Sequence, residues 1–182
     1  AEGSVAFFEV SGTELTPEAA PGKGNLYAWE RASKEFTLVG ILPDGECVQP
    51  PPCAPPKGST AGPYDWVRGR KATNGRDSGY LLRETHAVSE DGKRAYFTAN
   101  GSGQLYLRSD PLGPSPETDH VSASEKKDGS GPNGTDAAGT EPAAFMAATP
   151  DGSKAFITSP EKLTNDATTG PEPTKPAAIA RA

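Results

Sequence analysis

A short phrase that occurs twice constrains the fold of this chain more than any other feature. Residues 89–96 read SEDGKRAY and residues 150–157 read PDGSKAFI, so an Asp-Gly pair precedes a short aromatic segment in both places. The Asp of such a pair bonds to its own backbone and the Gly adopts a left-handed conformation, which makes the pair a tight turn. The sequence therefore predicts β-hairpins that turn at Asp91-Gly92 and at Asp151-Gly152.

Apolar residues occur in short runs rather than in helical stripes. Each run has about the length of a strand and is rich in aromatic or β-branched residues. The runs are 4–10, 25–30, 36–42, 85–89, 94–99, 104–109, 143–149 and 154–159, with a weaker one at 118–124. Gly (21) and Pro (19) are abundant among the 182 residues, and only 34% are hydrophobic. This pattern predicts an all-β protein without long helices.

The strands fall into a repeating order. With the strand before the Asp-Gly turn named A and the one after it B, strand C carries a Leu-Tyr pair, at Leu26-Tyr27 and again at Leu105-Tyr106. The order along the chain is then B-C-D, A-B-C-D, A-B. A four-stranded antiparallel unit repeated in tandem is typical of a β-propeller, in which each meander is one blade. Blades bury their faces by stacking on neighbours.

This order divides the chain into five predicted segments. They are a partial blade of strands B-C-D (1–42), a Pro/Gly-rich insertion loop (43–80), a complete blade with a loop (81–142), a partial blade of strands A-B (143–167) and a disordered tail (168–182). Regular strand pairing is not expected in the insertion, because its Pro-Pro runs and glycines oppose it.

The repeated segments resemble a known family. VSEDGKRAYFTANGSGQLYLR and ATPDGSKAFITSPEKLT resemble the repeats of TolB-like, WD-repeat-like bacterial β-propellers. The N-terminal SGTELTPEAAPGKGNLYAWE with FTLVGILPDG resembles large secreted or surface proteins of high-GC soil bacteria. The resemblance implies a non-catalytic propeller segment that acts as a scaffold or protein-interaction surface, outside the cell or on its surface. Only about two repeats are present, whereas a closed ring takes roughly four or more. We therefore expect the chain to be part of a longer protein with further repeats, or a truncated copy.

Two other functions remain open. TolB-like propellers also resemble accessory domains of larger hydrolases and peptidases, although this sequence has no Gly-x-Ser-x-Gly motif. A carbohydrate-binding surface on aromatic side chains is the other alternative, and the partner would then be a glycan rather than a protein. Tyr64 and Trp66 of the insertion form a possible interaction surface, or else they anchor their loop on a sheet.

No residue is predicted to be catalytic, cofactor-binding or metal-binding. Ser78 lies in GRDSGY, which resembles the nucleophile region of trypsin-like proteases, but both histidines follow it. We expect His86 to be structural and His120 to be solvated. The oxygen-rich loop 128–136 does not match the spacing of a calcium loop.

Cys47 and Cys53 frame the segment CVQPPPC. Two cysteines without a nearby histidine do not complete a tetrahedral zinc site. We predict a disulfide across this ring and hence an oxidising compartment; the alternative is two free thiols in a flexible loop. The ring closure is expected to stabilise the fold by at most about 2 kcal/mol.

Charge and hydropathy exclude two classes of partner. The net charge is −6 and no basic stripe is present, so nucleic acid is not an expected partner. No apolar run approaches the roughly 20 residues that cross a bilayer.

The last unit lacks strands C and D, so the strand at 154–159 has an unpaired edge. We therefore expect the chain to be marginally stable or to self-associate. Alternatively, the last A-B hairpin pairs with the N-terminal sheet.

Overall fold

The computed structural model describes residues 4–48, 50–62, 85–126 and 141–167. The strands in these residues are β1 Val5–Ser11, β2 Gly24–Glu30, β3 Phe36–Leu38, β4 Ser59–Ala61, β5 Arg94–Ala99, β6 Leu105–Ser109, β7 Glu117–His120, β8 Ala144–Ala148 and β9 Ala155–Thr158. A short 3-10 helix spans Asp44–Glu46. Across these ranges no helix is long and apolar enough to cross a membrane.

The strands form three antiparallel sheets in chain order. The first is β1-β2-β3, the second β4-β5-β6-β7 and the third β8-β9. All neighbouring strands are antiparallel. The prediction of an all-β chain built of antiparallel meanders is confirmed, because most of the apolar runs coincide with strands.

The strand that pairs with β5 on the side away from β6 differs from the prediction. β4 lies inside the insertion 43–80, and its residues Ser59–Ala61 pair with Ala99–Phe97 of β5. The predicted strand 85–89 contributes one antiparallel bridge, from Val88 to Ala95. The expectation of no pairing in 43–80 was wrong because β4 itself contains no proline, and a short edge strand needs a partner on one side only. Strand A of this unit is therefore made of two pieces.

The first predicted hairpin turn forms around Asp91. The Ser89 hydroxyl donates to the Asp91 carboxylate at 2.7 Å, and the Lys93 amide donates to the same oxygen at 3.0 Å. The Arg94 amide donates to the Ser89 hydroxyl at 3.0 Å. Gly92 has a φ of 71°, in the left-handed region that the turn requires. The hydrogen bonds from Ser89 and Lys93 lower the pKa of Asp91.

The second turn repeats the same set of hydrogen bonds. The Thr149 hydroxyl and the Ser153 amide donate to the Asp151 carboxylate, and the Lys154 amide donates to the Thr149 hydroxyl at 3.1 Å. Gly152 has a φ of 67°. The hydrogen bond from Thr149, followed by those from Ser153, lowers the pKa of Asp151 to about 2. The sequence repeat is thus a repeat of structure.

The two turns lie against each other. The Arg94 guanidinium donates to the backbone oxygen of Asp151 at 2.9 Å, and the Tyr96 hydroxyl donates to that of Gly152 at 2.8 Å. The Glu90 amide donates to the backbone oxygen of Pro150 at 2.9 Å. The second sheet therefore contacts the turn of the third sheet through direct hydrogen bonds.

The second sheet is buried on both faces. The core that joins it to the first sheet consists of Leu26, Ala28, Val39, Leu42, Cys53, Ala61, Ala95, Phe97, Ala99 and Tyr106. The core that joins it to the third sheet consists of Ala87, Tyr96, Leu105, Ala143, Phe145 and Ala148. The outer face of the first sheet is covered near Tyr27, which is fully buried with Ala19 and Leu38. The three sheets thus stack in sequence.

Several predictions concern parts of the chain that the structure leaves undescribed or arranges differently. Tyr64, Trp66, Ser78, the loop 128–136 and the tail 168–182 lie outside the described residues. β8 and β9 pair with each other in a sheet of their own. The alternative pairing of this hairpin with the N-terminal sheet is therefore not formed, because the hairpin stacks on the second sheet through the Phe145 core instead.

Candidate functional site

The predicted disulfide links Cys47 to Cys53 and closes a small ring between β3 and β4. Cys53 is buried and belongs to the core between the first two sheets, while Cys47 packs against that core. Val48, inside the ring, is 88% exposed. The disulfide therefore fixes a loop with its base in the core and an apolar side chain in solvent.

Glu46 ties this loop to the second sheet. Its carboxylate accepts a hydrogen bond from the Tyr106 hydroxyl at 2.7 Å and lies 2.8 Å from Nδ1 of His120. The rings of Tyr106 and His120 stack with their centres 4.5 Å apart. Burial, and then the Glu46 carboxylate, raise the pKa of Tyr106, so the phenol stays protonated as a donor.

The hydrogen-bond chain continues from His120 into the sheet. Nε2 of His120 lies 2.9 Å from the side-chain oxygen of Gln104, which also accepts from the Ser122 hydroxyl at 2.7 Å. The Gln104 amide nitrogen donates to the backbone oxygen of Glu141, which fixes the orientation of the amide. His120 was expected to be solvated, but its side chain is only 20% exposed because Glu46 and Gln104 bind it from both sides.

The geometry of this network fits a structural role better than a catalytic role. Both ring nitrogens of His120 lie within hydrogen-bonding distance of side-chain oxygens, one on Glu46 and one on Gln104. A general base would instead face the proton of a nucleophile. Ser122 is 1% exposed and donates to Gln104 rather than to the histidine. The network therefore fastens the loop to the sheet.

Arg108 lines a cleft that borders the disulfide loop. The cleft has a volume of ≈ 670 Å³ and is lined by Ile41, Leu42, Pro43, Asp44, Pro51, Pro52, Arg108, Pro116, Glu117, Thr118 and Asp119. Arg108 donates to the Thr118 hydroxyl at 2.7 Å, and that hydroxyl donates to the backbone oxygen of Ile41 at 2.9 Å. Burial lowers the pKa of Arg108, while attraction to Asp44 opposes the shift. The buried cation thus also helps to hold the start of the loop.

A second cleft also borders this loop. Its volume is ≈ 540 Å³, and it is lined by Pro17, Glu18, Ala19, Ala20, Pro21, Leu42, Val48, Pro50, Pro52, Cys53, Ala54 and Pro56. Prolines and small apolar residues dominate this lining, which includes the exposed Val48. Rigid apolar surface beside an exposed apolar side chain is a common feature of protein-contact sites.

The structure brings together three of the residues that the sequence singled out. Cys47 and Cys53 pair as predicted, and His120 lies next to their loop through Glu46. His86 is half-buried with a φ of 51°. Glu46 and Gln104 were not predicted, because a charged or amide side chain in a loop or strand carries no signal of a partner far away in sequence.

Two further properties bear on function: the presence of a metal site and similarity to known proteins. In the described ranges no group of three or more His, Cys, Asp or Glu side chains is arranged to hold a metal ion. No protein-family model, curated protein or solved structure matches the chain.

Proposed function

We propose that the chain is a non-catalytic segment of a β-propeller that serves as a scaffold and protein-interaction surface of an extracellular or cell-surface protein. The observation that carries this proposal is the repetition of one turn, with the same hydrogen bonds at Asp91 and Asp151, in sheets stacked in chain order. Successive blades of a propeller stack in this way. The disulfide supports an oxidising compartment.

The loop between β3 and β4 is the surface that we assign to the partner. The disulfide and the Glu46 contacts restrict the conformations of this loop, which lowers the entropy lost on binding. Val48 and the proline-lined cleft supply apolar surface. Proteins recognise such surfaces by burying them against complementary apolar side chains, and therefore a protein partner is favoured over a glycan.

The spacing between blades tests the propeller arrangement. Blades diverge outward, so equivalent positions lie farther apart on the fourth strand than on the second. Equivalent exposed residues are Ser4 and Lys93 beside the second strands, and Glu35 and Glu117 beside the fourth. For four to eight blades and a strand spacing of ~4.8 Å, the outer pair should be about 7–14 Å farther apart than the inner pair.

Spin labels on cysteines at these positions measure both distances by electron paramagnetic resonance. The native disulfide stays oxidised and unlabelled without reductant. Equal inner and outer distances would mean parallel stacked sheets and would rule out a propeller. Subtracting the inner distance from the outer distance removes most of the length that the label linkers add to each.

The loop assignment is tested with an array of extracellular proteins and glycans. We expect Val48→Asp to weaken binding of the protein partner about tenfold, because it places a charge on the apolar contact. The fold should be unaffected, since Val48 is 88% exposed. Phe36→Ser is the matched control, because Phe36 is another exposed apolar residue, on β3. Binding to glycans alone, or binding insensitive to Val48→Asp, would contradict the assignment.

A further inference from the structure

Strand B of each unit carries two adjacent residues that face opposite neighbours. In β5, Phe97 belongs to the core shared with the first sheet, and Tyr96 belongs to the core shared with the third. Side chains alternate between the two faces of a strand, which explains the division. Phe97 therefore faces the preceding unit and Tyr96 the following one.

β1 shows the same division. Phe7 packs against the core shared with the second sheet, and Phe8 packs against the core on the outer face of the first sheet. The ring of Phe7 comes within 3.4 Å of the position that a Cβ on Gly92 would occupy. The aromatic residue that faces forward thus reaches the Asp-Gly turn of the next unit, as Tyr96 does when it bonds to the Gly152 oxygen at 2.8 Å.

β9 has the forward-facing aromatic residue but no following unit among the described residues. Ile157 packs against the core shared with the second sheet, whereas Phe156 is 63% exposed. Met146, at an irregularity in β8, is 52% exposed. Phe156 occupies the place that Phe7 and Tyr96 hold in the two earlier units, since each follows the Ala of its strand: Ala6, Ala95 or Ala155.

We propose that the face of β8–β9 that exposes Phe156 and Met146 is a docking site for a β-hairpin whose turn reads Ser/Thr-x-Asp-Gly. The occupant is one more repeat unit of the kind found in this chain. A second copy of the described residues is a poorer fit, because both of its turns are already covered: Gly92 lies against Phe7 and Gly152 against Tyr96. The inference rests on the stacking of units and not on closure into a ring, so the spin-label distances and the docking experiment fail independently.

The probe is a cyclised peptide with the sequence of residues 143–159, whose Thr-Pro-Asp-Gly turn is the one that Tyr96 binds in the full chain. It is titrated into the isotope-labelled full chain and followed by nuclear magnetic resonance. We expect saturable shifts at Met146 and Phe156. We expect Phe156→Ala to weaken binding about tenfold, as the loss of one buried aromatic contact predicts.

Matched controls distinguish this contact from non-specific binding. Phe36→Ala removes an exposed aromatic side chain at the opposite end of the stack and should leave binding unchanged. A peptide with valine in place of the glycine of the turn should not bind, because the turn needs a positive φ. Thermal unfolding of Phe156→Ala should match that of the unchanged chain.

Three results would overturn the proposal. The first is no binding at millimolar peptide. The second is shifts centred on Tyr96, which would mean that the peptide displaces the chain's own hairpin. The third is self-association of the chain without peptide that Phe156→Ala abolishes in sedimentation, because a second copy would then be the occupant of this face.

Discussion

Replacing Phe97 by alanine is expected to lower the free energy of unfolding by about 3–5 kcal/mol. Phe97 is fully buried in the core between the first and second sheets. Its ring stacks on that of Tyr106 at a centre distance of 5.3 Å. The rigid strands around it would leave a cavity that is only partly filled by relaxation. Denaturant unfolding followed by circular dichroism measures the loss.

Phe156→Ala is the matched control for this variant. The side chain is the same, but Phe156 is 63% exposed on β9. Its replacement should change the free energy of unfolding by no more than ~0.5 kcal/mol. If the two variants lost the same stability, Phe97 would not be at the centre of a core that joins two sheets.

Replacing Gly152 by alanine is expected to lower the free energy of unfolding by about 2–4 kcal/mol, through two effects that add. Gly152 has a φ of 67°, which L-residues with a Cβ adopt at a cost. The new methyl carbon would also lie 2.9 Å from Cβ of Arg94 and 3.2 Å from Cβ of Ser89, both in the preceding unit. Part of the decrease in the free energy of unfolding is therefore due to the contact between the two units.

Gly22→Ala isolates the backbone effect. Gly22 has a φ of 65°, close to that of Gly152, but no atom lies within 4 Å of its Cβ position. This variant should lose only the backbone contribution, about 1–2 kcal/mol. The same denaturant titration compares the two variants. A Gly152 variant no less stable than the Gly22 variant would show that the turn is not packed against the second sheet.

Local sequence was sufficient to predict the hairpin turns and most strands. Asp91-Gly92 and Asp151-Gly152 form their turns with bonds to residues within five positions, so their chemistry is contained in the repeated phrase. The disulfide was predictable for the same reason, because Cys47 and Cys53 are six positions apart.

Long-range pairing was not predictable in this way. β4 is a strand because β5 offers it a free edge and because the Ser59 hydroxyl accepts a hydrogen bond from the Leu26 amide, 33 positions away. The bond from Tyr106 to Glu46 spans 60 positions and the contact of His120 with Glu46 spans 74. No local pattern marks such partners, which are chosen by the packing of whole sheets.

The divided first strand of the second unit has a consequence for how this chain can vary. The Gly62 amide donates to the backbone oxygen of Tyr96, and the Tyr96 amide donates to the backbone oxygen of Ala87, so one residue of β5 holds the chain where it leaves the sheet and where it returns. The entropy lost in closing a loop between two fixed ends grows only slowly with its length. The segment between Gly62 and Ala87 can therefore change in length, during evolution or by engineering, while both of its ends stay paired with Tyr96 and the sheet keeps its register.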